Sequence, residues 1–296
     1  MSTTARPSIA YLLVFHGSRD PRPAQAMERL SQFVRSQIAP FCPASGAALS
    51  QDARPTPAFE PEPSQSRLPR LAPGSLVGIA SLDASTFPLH EQIVHFGRRA
   101  QAMGVETLLV IPLFLGQGTH VMEDIPAALC MAQRELPALA LNLTPHLGVH
   151  PGLQTLLHRR LETTSSHSWI LLAHGSRRRA SNAAIETLAK SLGGTAAYWS
   201  HAPSLETRII QLLQSGVQQL AIFPYFLFTG TTTDAIIRTT EALAERFPQV
   251  RIHLLPPLGP TADLAQLVID LALNQMPPIP QPRVKPLQRI AFSQAV

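Results

Sequence analysis

Three segments of this chain occur twice, in the same order. YLLVFHGSR (11–19) returns as ILLAHGSR (170–177), LLVIPLFLGQGTH (108–120) as LAIFPYFLFTGTT (220–232), and PHLG (145–148) as PPLG (256–259). Tandem copies of one unit restrict the fold strongly, because each copy must build the same elements in the same order. The boundary falls in the polar stretch 163–167. The reading is a first lobe over residues 1–164, a second, degenerate lobe over 165–274, and a proline-rich tail over 275–296. A Pro-, Ser- and Gln-rich stretch at 40–73 stands outside the repeat and is expected to be a surface insertion.

Within the first copy, apolar runs alternate with helical periodicity. IAYLLVF (9–15) is short and rich in strand formers, GSRDPRP follows as a turn, and Met27, Leu30, Phe33, Val34 and Ile38 recur at helical spacing from about Ala24 to Ile38. The alternation continues with strands expected at 76–82, 106–115 and 138–144, and helices at 89–103 and 121–135. Runs such as TLLVIPLFL are apolar throughout, which suits strands buried on both faces of a parallel sheet. The expected class is α/β, with each lobe a parallel sheet flanked by helices.

Composition narrows the function. Apolar residues make up 45% and charged residues 15%, enough to bury two cores and too apolar for a disordered chain. The net charge of +5 comes without any run of five basic residues, and aromatics reach only 6%; nucleic acid is therefore not expected as a partner, and an anionic small molecule is. Cys42 and Cys130 form no CxxC pair, which argues against a disulfide framework, a thiolate zinc site or an iron–sulfur cluster. Neither a signal peptide nor a run of ~20 apolar residues is visible, so a soluble, cytoplasmic protein without a membrane partner is expected.

In open α/β sheets the ligand crevice lies beyond the carboxyl ends of the strands. His16 and His174 directly follow the two opening strands, His120 follows the third strand, and Asp83 closes the second. Two imidazoles converging with a carboxylate can hold a divalent first-row metal, although each histidine could equally bond a turn backbone. The second copy has Thr232 where the first has His120, so it lacks the pair. Gly17, Ser18, Gly116 and Gly118 sit where helix starts receive anions, and Arg19, Arg22 and Arg177 can meet carboxylates; ordinary turns and surfaces use the same residues. His146, His150 and His201, at or after strand ends, are weaker candidates.

HGSRDP, PLFLGQGTHVMEDIP and LGVHPGL together resemble the sirohydrochlorin chelatases, class II tetrapyrrole chelatases that include cobalt-inserting enzymes of B12 synthesis and iron-inserting enzymes of sirohaem synthesis. AHGSRR, YWSHAPSLE and FPYFLFTGTTTDAI resemble the degenerate lobe of the long, cyanobacterial-type ferrochelatases. The resemblance implies an active cleft between two lobes, with His16 and His120 as metal-contacting and catalytic residues. It places the assisting acid at Asp83, where the family commonly has glutamate. The shorter side chain leaves open direct ligation, action through water, or a share taken by Glu91 or Glu123. Substrate contacts are expected from Ser18, Arg19, Gly118, Thr119, His174 and Arg177. The implied reaction inserts Fe2+ into sirohydrochlorin, a polycarboxylate macrocycle, without ATP and without a permanently bound cofactor. Co2+ insertion is the runner-up and nickel a third option. A non-catalytic tetrapyrrole or metal carrier, or a two-lobed solute binder, are the rivals from other classes. Two lobes in one chain favour a monomer.

Overall fold

The computed structural model describes residues 9–38, 76–164, 166 and 168–273; the expected insertion at 40–73 and the tail at 275–296 lie outside the described residues. The apolar runs form β1 (Ile9–Phe15), β2 (Val77–Ser81), β3 (Thr107–Pro112) and β4 (Ala140–Leu143), then β5 (Ser168–Ala173), β6 (Thr195–Tyr198), β7 (Gln219–Pro224) and β8 (Arg251–Leu254). Each repeat makes one four-stranded parallel sheet, ordered β2-β1-β3-β4 and β6-β5-β7-β8. Helices α1 (Pro21–Ile38), α2 (Leu89–Ala102), α3 (Ile125–Glu135) and α4 (Pro151–Glu162) follow the strands of the first sheet. Helices α5 (Arg179–Ser191), α6 (Leu205–Gln214), α7 (Thr231–Arg246) and α8 (Ala262–Leu273) follow those of the second.

α1 begins at Pro21, three residues earlier than the apolar spacing places it. Its prolines at 21 and 23 lie in the first turn, where backbone N–H groups have no intrahelical acceptor and a fixed φ is already helical. Hydrophobic periodicity starts only where the helix meets the core, so it under-reads this end.

Alternating residues of the central strands face two different cores. Tyr11, Leu13 and Phe15 of β1 join Trp169 and Leu171 of β5 in a cluster that also takes residues from α1, α4, α5 and α8. Ala10, Leu12 and Val14 face outward onto α2 and α3, and Ile170 and Leu172 onto α6 and α7. The molecule is thus layered: outer helices, a sheet, a shared middle layer of helices, the second sheet, and outer helices again. The last helix, α8, packs chiefly on α1, the first, and Gln37 of α1 donates to the Ala262 carbonyl. Arg160 of α4 donates to the carbonyls of Pro257 and Leu258, in the loop before α8. Among the described residues no helix is long and apolar enough to cross a membrane.

Candidate functional site

The register pairs Phe15 with Ser81 and Val14 with Pro112, so β1, β2 and β3 end side by side. Their following loops are tied together. Asp83 N donates to the His16 carbonyl at 2.8 Å, and Leu82 N to Phe15 O at 3.1 Å. Gly17 holds φ +84° against this crossing, and a Cβ there would lie 2.0 Å from the Asp83 carbonyl oxygen. The HG pair therefore fits only with glycine second, and it delivers the His16 and Asp83 side chains together: His16 Nδ1 lies 3.5 Å from Asp83 Oδ2.

His120 arrives from the other side. It opens a π-helical turn, His120–Asp124, that runs into α3; the sequence periodicity reads this stretch as plain helix. Wide turns of this kind concentrate at functional positions. Here the turn brings His120 Nδ1 to 2.7 Å from Asp124 Oδ2. The His16 and His120 rings stand edge to face, 4.9 Å between centroids and 90° between planes, and Phe114 lies 6.2 Å from His120.

The hydrogen bonds fix the tautomers. His16 Nδ1 has the Gly17 carbonyl at 3.1 Å and His120 Nδ1 has a carboxylate, so each Nδ1 carries the proton and donates it. In the neutral imidazole each Nε2, which has no partner among the described residues, is then the lone-pair nitrogen, the arrangement found in metal-ligating histidines whose other nitrogen is anchored by an oxygen. Among the described residues no three His, Cys, Asp or Glu side chains form a group able to hold a metal ion. The pair is open, not a cage.

Two stretches of the chain, residues 66–164 and 168–274, match the CbiX family model. The chain belongs to the CbiX family. The sirohydrochlorin cobaltochelatase of Priestia megaterium is 24% identical over 162 residues, 49% of this chain and 52% of that protein, so the match spans about half the length of this relative. The fold is shared with the sirohydrochlorin chelatase SirB from Bacillus subtilis subspecies spizizenii in complex with cobalt (TM-score 0.60, 17% identity, 89% of this chain and 93% of that one). SirB from Bacillus subtilis with Fe3+ gives a TM-score of 0.65 at 15% identity, covering 90% and 94%. CbiX, described as the terminal enzyme for biosynthesis of siroheme in denitrifying bacteria, gives 0.53 at 20%, covering 90% and 99%.

In this CbiX chain the second repeat reproduces the backbone of the site. Ser200 N donates to the His174 carbonyl at 3.0 Å, as Asp83 N does to His16, and Gly175 holds φ +89°. Ser200 Oγ also donates to the His174 carbonyl and bonds His201 Nδ1 at 2.8 Å. Partial burial pushes the His174 imidazole below the usual histidine range, and nearby His201 and His16 add to this. His174 of the second lobe therefore shares its surroundings with His16 of the first.

The other expected residues divide. Ser18 Oγ is occupied locally, accepting from Asp20 N, while Gly118 and Thr119 sit in the loop just ahead of His120. Arg19 and Arg177 make no ion pair among the described residues. Arg22 does, reaching both Asp20 and, across the lobes, Asp234 at the start of α7. Arg178, before α5, pairs with Glu123 of the π-helical turn. Two cross-lobe ion pairs thus bracket the histidines. Glu123 is taken up in one of them, and Glu91 contacts His90, not the His16–His120 pair. The residue that sequence reasoning missed is Asp124. Its signal was the four-residue spacing from His120, which makes the two neighbours on any helix holding both; the sequence pattern starts the helix at Val121 and leaves His120 outside it.

Proposed function

We propose that this chain is a sirohydrochlorin chelatase that exchanges two pyrrole protons of the macrocycle for one divalent metal ion, most simply Fe2+, giving sirohaem without ATP. The observation that carries this reading is the His16–His120 pair: two imidazoles at 4.9 Å, each with Nδ1 engaged and Nε2 free. Such a pair binds a first-row ion through two nitrogens and leaves its remaining positions to water or to the pyrrole nitrogens. A closed four-ligand cage would retain the ion; two ligands can hand it on.

An imidazole nitrogen accepts a proton as readily as a metal ion, so the same residues suit proton acceptance. In the proposed sequence His120, oriented by Asp124, anchors the incoming ion through Nε2. As a macrocycle nitrogen bonds the metal, His16, with Asp83 at 3.5 Å, releases the ion and takes a pyrrole proton at Nε2. The second proton leaves in the same way after the first has passed to solvent. Arg19 and Arg177, which follow the two HGS turns, meet substrate carboxylates; Arg22 and Arg178 do not, because they already hold the lobes together. Ser18, Gly118, Thr119 and His174 line the approach.

The match to a cobaltochelatase keeps Co2+ insertion as the second reading, since the same nitrogen pair serves either ion. The test is anaerobic insertion of Fe2+ and Co2+ into sirohydrochlorin, followed by absorbance. Multiple turnovers support the chelatase reading, and the ratio of rates with the two ions decides between them. Saturation at one equivalent of product would replace it with a carrier.

A further inference from the structure

Beside the loop that leads to His120 lies a cavity of about 260 Å3 walled by both lobes. Leu115 on one side and Ile185 and Leu188 of α5 on the other give it apolar walls. Of the polar side chains that line it, His146, Ser181 and Tyr225 are buried and none of these has a good partner, while Gln117, His150 and Gln154 are more exposed. His146 is 4% exposed, and its Nε2 makes no hydrogen bond. Its Nδ1 is 3.0 Å from the Phe114 carbonyl and within 3.2 Å of Gly148 N, an N–H that also donates to that carbonyl at 2.8 Å; in the tautomer with the Nδ1 proton on the carbonyl, Nε2 is a bare acceptor. The Tyr225 hydroxyl, from the second lobe, has only the Leu115 carbonyl at 3.5 Å. Ser181 is buried, its hydroxyl faces Gly116, and it bonds no side chain or carbonyl among the described residues.

The repeat supplies an internal control. By the same alignment, Pro257 stands in place of His146, Leu113 in place of Tyr225 and Pro23 in place of Ser181. The polar trio exists only on the side of the molecule that holds the His16–His120 pair. A buried acceptor without a donor is destabilising, so its presence on one side alone calls for a role.

We propose that this cavity is a second binding site, for a small uncharged amphiphilic molecule. Its polar head donates to His146 Nε2 and accepts from the Tyr225 hydroxyl, and its apolar body lies against Leu115, Ile185 and Leu188. The chemistry favours an uncharged ligand: no Asp, Glu, Lys or Arg lines the cavity, and burial pushes the imidazole of His150, which also lines it, below the usual histidine range. Burial keeps His146 neutral by pushing its pKa below the usual histidine range, and keeps Tyr225 protonated by pushing its pKa well above the usual tyrosine range. The volume is several times the roughly 30 Å3 share of one water, and a half-apolar wall suits an organic body better than a water cluster. Occupancy is felt at the metal-anchoring pair, because His146 holds the Phe114 carbonyl and the Phe114 ring lies beside His120.

The probe is 2-pyrrolidinone, which carries one N–H, one carbonyl and an apolar ring. It is titrated into the full chain with 15N-labelled histidine, without metal or macrocycle, so the outcome is independent of chelatase activity. A saturable shift of the His146 Nε2 signal, accompanied by shifts of the His120 ring, is expected. Tyr225→Phe, which conserves volume, should weaken binding about fivefold. N-methyl-2-pyrrolidinone, which lacks the donor, should bind more weakly still. No saturable shift up to the solubility limit, or equal binding of the N-methyl analogue, overturns the site; a His120 ring that stays unmoved overturns its coupling to the pair.

Discussion

The two repeats share a backbone and differ in a few side chains. Both sheets have the same strand order, both HG turns hold a left-handed glycine, and both are crossed by the same N–H to carbonyl bond from the loop after the second strand. Yet Asp83 becomes Ser200, His120 becomes Thr232, and Asp124 becomes Ile236. That last exchange follows the winding. The first repeat enters its third helix through a π-helical turn that leaves Asp124 exposed beside His120, whereas α7 starts at Thr231 with Thr233 bonding the Gly230 backbone, and Ile236 is fully buried. Apolar strands and glycines are thus enough to repeat the scaffold. The His120–Asp124 contact occurs only in the repeat that enters its helix through the wide turn.

The sharpest break of this comparison is His120→Ala against His174→Ala. Turnover should fall at least ~100-fold in the first, in line with loss of a positioned base or ligand, and should largely survive in the second. Equal losses would mean that both lobes act. Next, Asp124→Asn should reduce metal affinity or activity about 10- to 100-fold, the usual effect of removing the anchor of a ligating imidazole; metal-concentration dependence of the rate reads this. Third, Thr232→His in the His120→Ala background should restore little activity, because Ile236 cannot fix its tautomer; recovery to near wild type would show that the winding is irrelevant.

Smaller effects concern stability. Gly17→Ala should cost more than ~1 kcal/mol, since the backbone cannot adapt at positive φ and the Cβ would strike the Asp83 carbonyl. Gly175→Ala meets a His201 side chain at 2.9 Å and should be milder in thermal unfolding. The smallest effect is that of the Arg22 pair. Side-chain hydrogen bonds from Arg22 hold Asp20 and Asp234 below the usual carboxylate range. Their contribution is complete above the unfolded pKa of about 3.9 and is lost as pH falls through the lower folded values. Arg22→Gln should therefore begin acid unfolding at a higher pH than wild type.

Sequence periodicity read the sheets well because strands buried on both faces are apolar throughout, as TLLVIP is in β3. It placed His16 and His120 together because both follow neighbouring strands. It missed Asp124 because the helical pattern starts at Val121, which leaves His120 outside the turn where the two are i, i+4 neighbours. Nor could it pair Arg22 with Asp234 or Arg178 with Glu123, since each bond joins residues from different repeats and no local rule connects them. The polar cavity was equally hidden: His146 reads as a strand-end histidine until Tyr225 and Ser181 are seen to face it.

The seating of α8 on α1 has a consequence for how the molecule is made. A chain emerging from the ribosome at roughly 5–20 residues per second completes the first four strands well before residue 262 appears. Through that interval α1 waits with an oily flank uncovered until α8 is made. A premature stop just after Gly259 would keep the strands and loops that carry His16 and His120, yet it should leave a product that sticks to chaperones, because α1 takes its cover from a helix made long after it.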